Sequence, residues 1–281
     1  KNDEKLISFV LSDGDNVQWL MLNFCQGDEG KFYWGDPYRG KLPFGWTIPA
    51  VDLLQLCPYT LDFLRDSQIA ADDFILYGGG YFYPDLFGVD RNRMKCLEGH
   101  ARRIRKYMKH CGLKLILFNS MDWDSSSALE AYEVYANEIP ELEGILTVQY
   151  APYAAGGGQI RWVGTRRKNP IPVVSAKYAI WGDRGNDPLE NSPSAIAKSI
   201  SHWAETAARS AEDRFAWVIV HAWSWFRDPT FARDQALSES VPPDLITKDD
   251  SSIARGYRPA YWCAQMMADS VRVVKPIELI Q

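Results

Sequence analysis

The stretch Phe74-Ile75-Leu76-Tyr77-Gly78-Gly79-Gly80-Tyr81-Phe82-Tyr83-Pro84 decides how this chain is read. Its first four residues are apolar without alternation, the pattern of a strand covered on both faces, as parallel strands are. The run stops abruptly in three glycines, which admit φ > 0 and let a ligand come close to the main chain. Two tyrosines follow, flat and partly apolar with hydroxyl tips, and Pro84 stiffens the exit of the turn. A strand that delivers a glycine turn and then rings suits the binding of a sugar ring.

Working outward, the same kind of apolar run recurs. Eight strands are expected at Leu6–Ser12, Gly45–Pro49, Asp73–Tyr77, Leu113–Asn119, Gly144–Gln149, Ile171–Ala176, Phe215–His221 and Val271–Val274. Helical spacing separates several of them, at Asn92–His110, Ser125–Asn137, Ser192–Ser210 and Pro259–Ser270. In the third of these, Ile196, Ile200, Trp203 and Ala207 follow steps of three and four. Alternating strand and helix give an α/β class. Eight strands point to a (β/α)8 TIM-like barrel, irregular between its first two strands, where the link is rich in Gly, Trp and Tyr. A doubly wound open parallel sheet is the other topology this pattern allows. The segments Gln26–Phe44, Tyr150–Pro172 and Asp228–Asp250 carry Gly and Pro and are expected to be loops decorating one end. The 281 residues suit one barrel-like domain over 1–281, since such barrels run to roughly 250 residues.

Composition narrows the partners. Apolar residues make up 46% and charged residues 24%, ordinary for a chain with a sizeable core. The net charge of −5 argues against a nucleic-acid partner, which needs clustered positive charge. The basic run Arg102-Arg103-Ile104-Arg105-Lys106 lies among Leu97, Ala101, Ile104, Met108 and Cys111 at helical spacing, so its charges form the solvated face of a helix. No apolar run approaches the roughly 20 residues that span a bilayer, so no transmembrane segment is expected. Lys1-Asn2-Asp3-Glu4-Lys5 is polar, with no signal-peptide core behind it. The five cysteines, Cys25, Cys57, Cys96, Cys111 and Cys263, contain no C-x-x-C pair, which disfavours a disulfide framework or a zinc ribbon.

Two blocks carry a resemblance. Gly78 to Pro84 reads as G-x-G-Y-x-Y-P, and the opening Leu6-Ile7-Ser8-Phe9-Val10-Leu11 runs into Ser12-Asp13-Gly14-Asp15-Asn16. With the closing Val271 to Leu279, these make the chain similar to the GxGYxYP family of glycoside hydrolases, in its C-terminal region. The resemblance implies a carbohydrate ligand, hydrolase activity and an extracytoplasmic, periplasmic or secreted, location. It transfers no catalytic pair, so the chemistry rests on the residues.

Ligand sites in barrels and open α/β sheets gather beyond the carboxyl ends of strands. Here those ends are Asp13-Gly14-Asp15-Asn16, the glycine turn, Asn119-Ser120-Met121-Asp122-Trp123-Asp124, Lys177 to Asp183, and His221-Ala222-Trp223-Ser224-Trp225. Glycoside hydrolysis needs one protonated and one ionised carboxyl across the bond. Asp13 or Asp15 with Asp122 is the expected pair, because they end different strands. Trp123 would desolvate Asp122 and raise its pKa. Gly80, Tyr81, Tyr83, Trp123, His221 and Trp223 are the candidate binding residues. Asn16 is equally suited to cap a helix starting near Val17, and Asp124 is the residue expected to cap the helix after Ser125. His221 has the alternative of a core histidine bonded to backbone.

No cofactor and no metal ligand set is expected, although the alternating oxygens of Asp13 and Asp15 would accept calcium, which keeps a metal-dependent hydrolase among the alternatives. A non-catalytic carbohydrate-binding protein would use the same rings without opposed carboxylates. The four histidines form no closely spaced pair, there is no G-x-G-x-x-G opening a helix, and no G-x-S-x-G is present.

Overall fold

The computed structural model describes residues 4–182, 187–230, 236–237 and 252–281. The chain runs through β1 (Lys5–Leu11), α1 (Val17–Leu22), α2 (Gly27–Gly30), β2 (Phe44–Ile48), α3 (Ala50–Leu56), α4 (Pro58–Asp66), β3 (Asp72–Tyr77), α5 (Arg93–Cys111), β4 (Leu115–Ser120), α6 (Ser126–Glu138) and β5 (Gly144–Gln149). It continues through β6 (Ile160–Val163), β7 (Ile171–Ser175), β8 (Tyr178–Ile180), β9 (Glu190–Asn191), α7 (Pro193–Glu205) and β10 (Phe215–Val220). Short elements follow: β11 (Trp225–Arg227), β12 (Ala236–Leu237), β13 (Ile253–Ala254), α8 (Tyr257–Met266), β14 (Val271–Val273) and α9 (Pro276–Ile280).

Parallel pairing joins β1, β2, β3, β4, β5 and β7 in that order. On its other side β1 pairs with β10, and β10 with β8. Only Ala176 and Lys177 separate β7 from β8. The Ala176 N–H donates to Thr147 of β5, while the Lys177 N–H donates to Trp217 of β10, at 3.0 Å each. One bent strand thus carries the sheet from β5 to β10, and the sheet curls round on itself.

Side-chain alternation then divides the core in two. Val10, Ile75, Leu117, Leu146, Val174, Ala179 and Ile219 belong to one inner buried cluster. Phe9, Leu76, Phe118, Ile145, Val173 and Val218, one step along, join the outer cluster with the helices. Both faces are apolar, which is why the strands read as continuous runs rather than alternating ones. An open doubly wound sheet would set helices against both faces; here the inner face packs on itself, and the α/β barrel-like expectation holds.

The irregularity lies in the eighth strand. β14 pairs with β1 only at Lys5–Ile7, below the point where β2 pairs at Val10 and Leu11. It wedges the amino-terminal end of that seam instead of forming a full stave, because Pro276 ends it and starts α9. This last helix plugs the floor: Leu279 lies in the inner cluster, and the Ile277 N–H donates to Asp73 at 2.7 Å. Glycines make room for the plug, since a Cβ at Gly45 would stand 2.7 Å from Pro276 and one at Gly144 2.7 Å from Ile280.

Other expectations are adjusted by the connections. The link from β2 to β3 is helical, broken where Cys57 precedes Pro58. The expected loop Tyr150–Pro172 contains β6, antiparallel to β7. Most of Asp228–Asp250 lies outside the described residues. On α5, Leu97, Ala101, Ile104 and Met108 are buried as expected, while Arg102 and Arg105 pair with Glu138 and Glu141. The five cysteines are unbridged. Among the described residues no helix is long and apolar enough to cross a membrane.

Truncating the plug at Leu279→Ala is expected to lower unfolding stability by about 2–4 kcal/mol in chemical denaturation, as for other buried leucines. A loss under about 1 kcal/mol would mean that α9 is not part of the inner core.

Candidate functional site

The glycine turn after β3 holds three successive positive φ values, 48° at Gly78, 83° at Gly79 and 123° at Gly80. It lies on α5, where a Cβ at Gly79 would stand 2.7 Å from Ile104. His100 of α5 hydrogen-bonds the Gly79 backbone, and its Nδ1 lies 2.5 Å from the Tyr135 hydroxyl. Burial, reinforced by the charge of Arg103, lowers the His100 pKa to about 4, so this support is neutral. From the turn, Tyr81 projects with 56% of its surface exposed, and its hydroxyl meets that of Tyr83 at 2.8 Å.

These tyrosines begin a belt of rings round the carboxyl ends of the strands. Tyr81 meets Tyr83 (5.6 Å between centroids), Tyr83 meets Tyr150 (5.9 Å), Tyr150 meets Tyr153 (6.5 Å) and Tyr153 meets Trp181 (4.5 Å). Trp181 then stacks on His221 at 3.9 Å and 11°. The belt links the exits of β3, β5, β8 and β10. His221 Nδ1 lies 2.7 Å from Ser224 Oγ, which also accepts the Gly182 N–H at 2.9 Å. The histidine is therefore held by side chain and ring, more than by backbone alone.

The exit of β1 closes the arc. Asp13 sits at φ 63°, in the left-handed region that costs a non-glycine residue energy. Its carboxyl accepts from the Ser12 hydroxyl, which itself accepts the Ala222 N–H at 3.0 Å, and Trp223 lies close by. Burial nevertheless raises its pKa, against the lowering effect of these neighbours. Gly14 is required by the close approach of β2, since a Cβ there would stand 2.4 Å from Thr47. The Asp15 carboxyl is pushed up to about 6, chiefly by burial and additionally by the charge of Asp13. Tyr77 and Tyr153 both sense Asp13, Asp15 and Tyr81, and Tyr83 senses Asp15. Asp13, Asp15, Gly80, Tyr81, Tyr83, His221 and Trp223 thus share one neighbourhood.

Asp122 and Trp123 follow β4, whose exit lies between those of β3 and β5. Asp122 is exposed; its N–H and that of Met121 donate to Asp85 Oδ2, and its Oδ1 accepts from Asp124 N–H at 3.3 Å. Trp123 is buried, 3.0 Å from where a Gly156 Cβ would be and 5.4 Å below the Arg161 guanidinium. It packs the loop after β5 and does not wall off Asp122. Asp124 does not cap α6: it binds Arg161 through two bonds of 2.8 and 2.7 Å, while Ser125 Oγ takes the Ala128 N–H. Asn16 does cap α1, accepting from Trp19 N–H at 3.1 Å.

Several residues here were not among the candidates, although Asn119 and Trp181 lie in the strand-end stretches the sequence singled out. Tyr150, Tyr153 and Trp181 followed strands but carried no motif. Asp52, on α3, has an oxygen 4.0 Å from where a Gly80 Cβ would stand, and burial raises its pKa. The buried Glu190 accepts the Ala154 N–H at 2.9 Å and pins the tyrosine loop. Asn119 is buried with neither amide atom partnered. Among the described residues no group of three His, Cys, Asp or Glu is placed to hold a metal ion.

Residues 3–233 match the family described as "GxGYxYP putative glycoside hydrolase C-terminal domain". Among solved structures, a "putative hydrolase" from Bacteroides thetaiotaomicron VPI-5482 is similar over 100% of this chain and 45% of its own, with a TM-score of 0.70 and 18% identity. The 4-alpha-glucanotransferase from Thermococcus litoralis aligns with a TM-score of 0.48 and 8% identity, over 99% of this chain and 40% of its own. The chain therefore spans less than half of either protein. No curated protein matches.

Burial raises the Asp15 pKa from 3.8 to about 6 on folding. The folded protein holds this proton more tightly than the unfolded chain, so the burial penalty is absent below the ordinary value of 3.8 and complete once pH exceeds about 6. Asp15→Asn is expected to raise stability at pH 7–8 by on the order of 1 kcal/mol, after allowing for solvent screening. The gain should vanish toward pH 4 in thermal melts across that range. A variant equally or less stable at pH 8 would contradict the desolvation of this carboxyl.

Proposed function

Because the chain belongs to the GxGYxYP family over residues 3–233, we propose that it hydrolyses glycosidic bonds of an oligo- or polysaccharide, with Asp13 and Asp15 as the working carboxyls. What supports this most is the pairing of two desolvated acids on one turn, beside a belt of rings at the mouth of the barrel.

The two acids sit in different surroundings, which is what acid–base division of labour needs. Asp13 is the more deeply buried acid and burial raises its pKa, while the Ser12 hydroxyl, itself bonded by the Ala222 N–H, offers its anion a hydrogen bond. It takes the role of nucleophile or base. Asp15 has no such donor beyond its own backbone N–H, and burial lifts it to about 6, so it holds a proton for the leaving oxygen. The Asp13 anion helps to keep that proton on Asp15. Tyr81, Tyr83 and Trp181 offer faces on which a pyranose ring stacks, and His221, fixed by Ser224, orients hydroxyls. An extracytoplasmic location goes with this chemistry, since polysaccharides are met outside the cytosol.

Release of reducing ends from a panel of oligosaccharides tests the activity. Asp13→Asn and Asp15→Asn are each expected to lower kcat at least about 100-fold, whereas Asp122→Asn, exposed and bonded to its own loop, should change it less than about threefold. Wild-type activity should fall as pH rises through about 6, the range in which Asp15 loses its proton, and this limb should be missing from the residual rate of Asp15→Asn. Full turnover by Asp15→Asn, or loss confined to Asp122→Asn, would overturn the assignment.

A further inference from the structure

Asn119 is the one described side chain with both of its polar atoms buried and unpartnered, Oδ1 and Nδ2 alike, at 3% exposure. A buried amide without hydrogen bonds is costly, and native proteins rarely retain one without a use for it. Its direction is set by the strand. Leu115 and Leu117 of β4 lie in the inner cluster, so Asn119 continues the inward-facing row by one step toward the carboxyl end. Its register partner on β5, Val148, is also in the inner cluster. The next residue, Ser120, faces the helices and is satisfied there by the Tyr132 hydroxyl at 2.7 Å.

The surroundings are those of the candidate site. On one side Tyr77 pairs with Leu117, so the glycine turn begins beside Asn119. On the other side the Tyr150 N–H donates to the Ser120 carbonyl at 2.7 Å, which brings the belt of rings past the same point. The amide therefore faces the barrel interior just below its mouth, between the glycine turn and the exit of β5.

We propose that Asn119 anchors the sugar at the base of the site, with Oδ1 accepting from one ring hydroxyl and Nδ2 donating to its neighbour. A carboxamide offers one acceptor and two donors in a plane, which matches two adjacent equatorial hydroxyls, each able to donate and accept. Because the amide has no protein partner to give up, its bonds to the ligand are new ones, and a ligand lacking either hydroxyl leaves it orphaned. Asn119 is a specificity-determining residue for vicinal diols, and this rests on the reading of the site as one for carbohydrate.

The test uses Asn119→Leu, close in size but apolar, placed in the Asp15→Asn background so that sugars are held without turnover. The probes are methyl glucoside, galactoside, mannoside and xyloside, their 1,4-linked oligomers, and the deoxy form of whichever binds best, titrated calorimetrically. Asn119→Leu is expected to weaken binding at least tenfold without lowering the melting temperature. Removing the hydroxyl from the sugar should weaken binding to the parent protein by a similar factor and add little to the loss in the variant. If Asn119→Leu does not fold, Asn119→Ala takes its place, and the deoxy sugar on the parent protein supplies an independent arm. Affinity within twofold of the parent, with additive deoxy effects, would overturn the anchor and leave the hydrolase reading standing. A lowered melting temperature with the deoxy sugar bound normally would make Asn119 a structural residue. No binding of any probe to either protein would overturn both.

Discussion

The switch of hydrogen bonding between Ala176 and Lys177 is the constraint on which the architecture depends. Successive N–H groups of one strand serve two different neighbours, β5 and then β10. The Trp217 indole reinforces the junction from inside by donating to the Val174 carbonyl at 3.0 Å. Beyond the bend, β6 covers the far side of β7 and β9 the far side of β8, so neither strand presents a bare edge. With the bend, the inner side chains of β1, β3, β4, β5, β7, β8 and β10 meet in one cluster. A barrel of this kind has a carboxyl-end mouth, and the exits of its strands are brought face to face there.

The floor and the mouth of this barrel are treated in opposite ways. At the floor, α9 is driven into the interior, glycines recede to admit it, and Asp73 bonds the first turn of the helix. Packing there serves stability. At the mouth, the structure accumulates features that stability alone would remove: Asp13 in a left-handed conformation, Asp15 desolvated next to another acid, and Asn119 buried without a partner. Such residues are tolerated where a ligand or a reaction uses them.

The supports of the site are as informative as its rim. Neutral His100 lies beneath the glycine turn between Tyr135 and the Gly79 backbone, in an aromatic setting with Phe82 and Phe87. Glu190 holds the loop that carries Tyr153, and Ser224 holds His221. Rings and carboxyls placed on loops gain definition only from such anchors.

The sequence alone determined the local elements and the chemistry of the strand ends. Apolar runs without alternation marked β1 to β5, β7 and β10, since burial on both faces demands them, and the spacing on α5 separated its buried and solvated sides. The acids after β1 and the tyrosines after β3 were likewise visible, because motif and composition are properties of consecutive residues. Which strand exits face one another was decided only by tertiary structure. Asp122 was legible as a strand-end acid, but that its backbone N–H is held by Asp85, and that Asp124 is claimed by Arg161 from β6, was not. The partnership of Asp13 with Trp223, the belt through Tyr150, Tyr153 and Trp181, and the orphaned amide of Asn119 depend on contacts between residues far apart in the chain. The physical reason is that closure fixes distance, burial and pKa together, and no local pattern encodes where a strand bends to change neighbours.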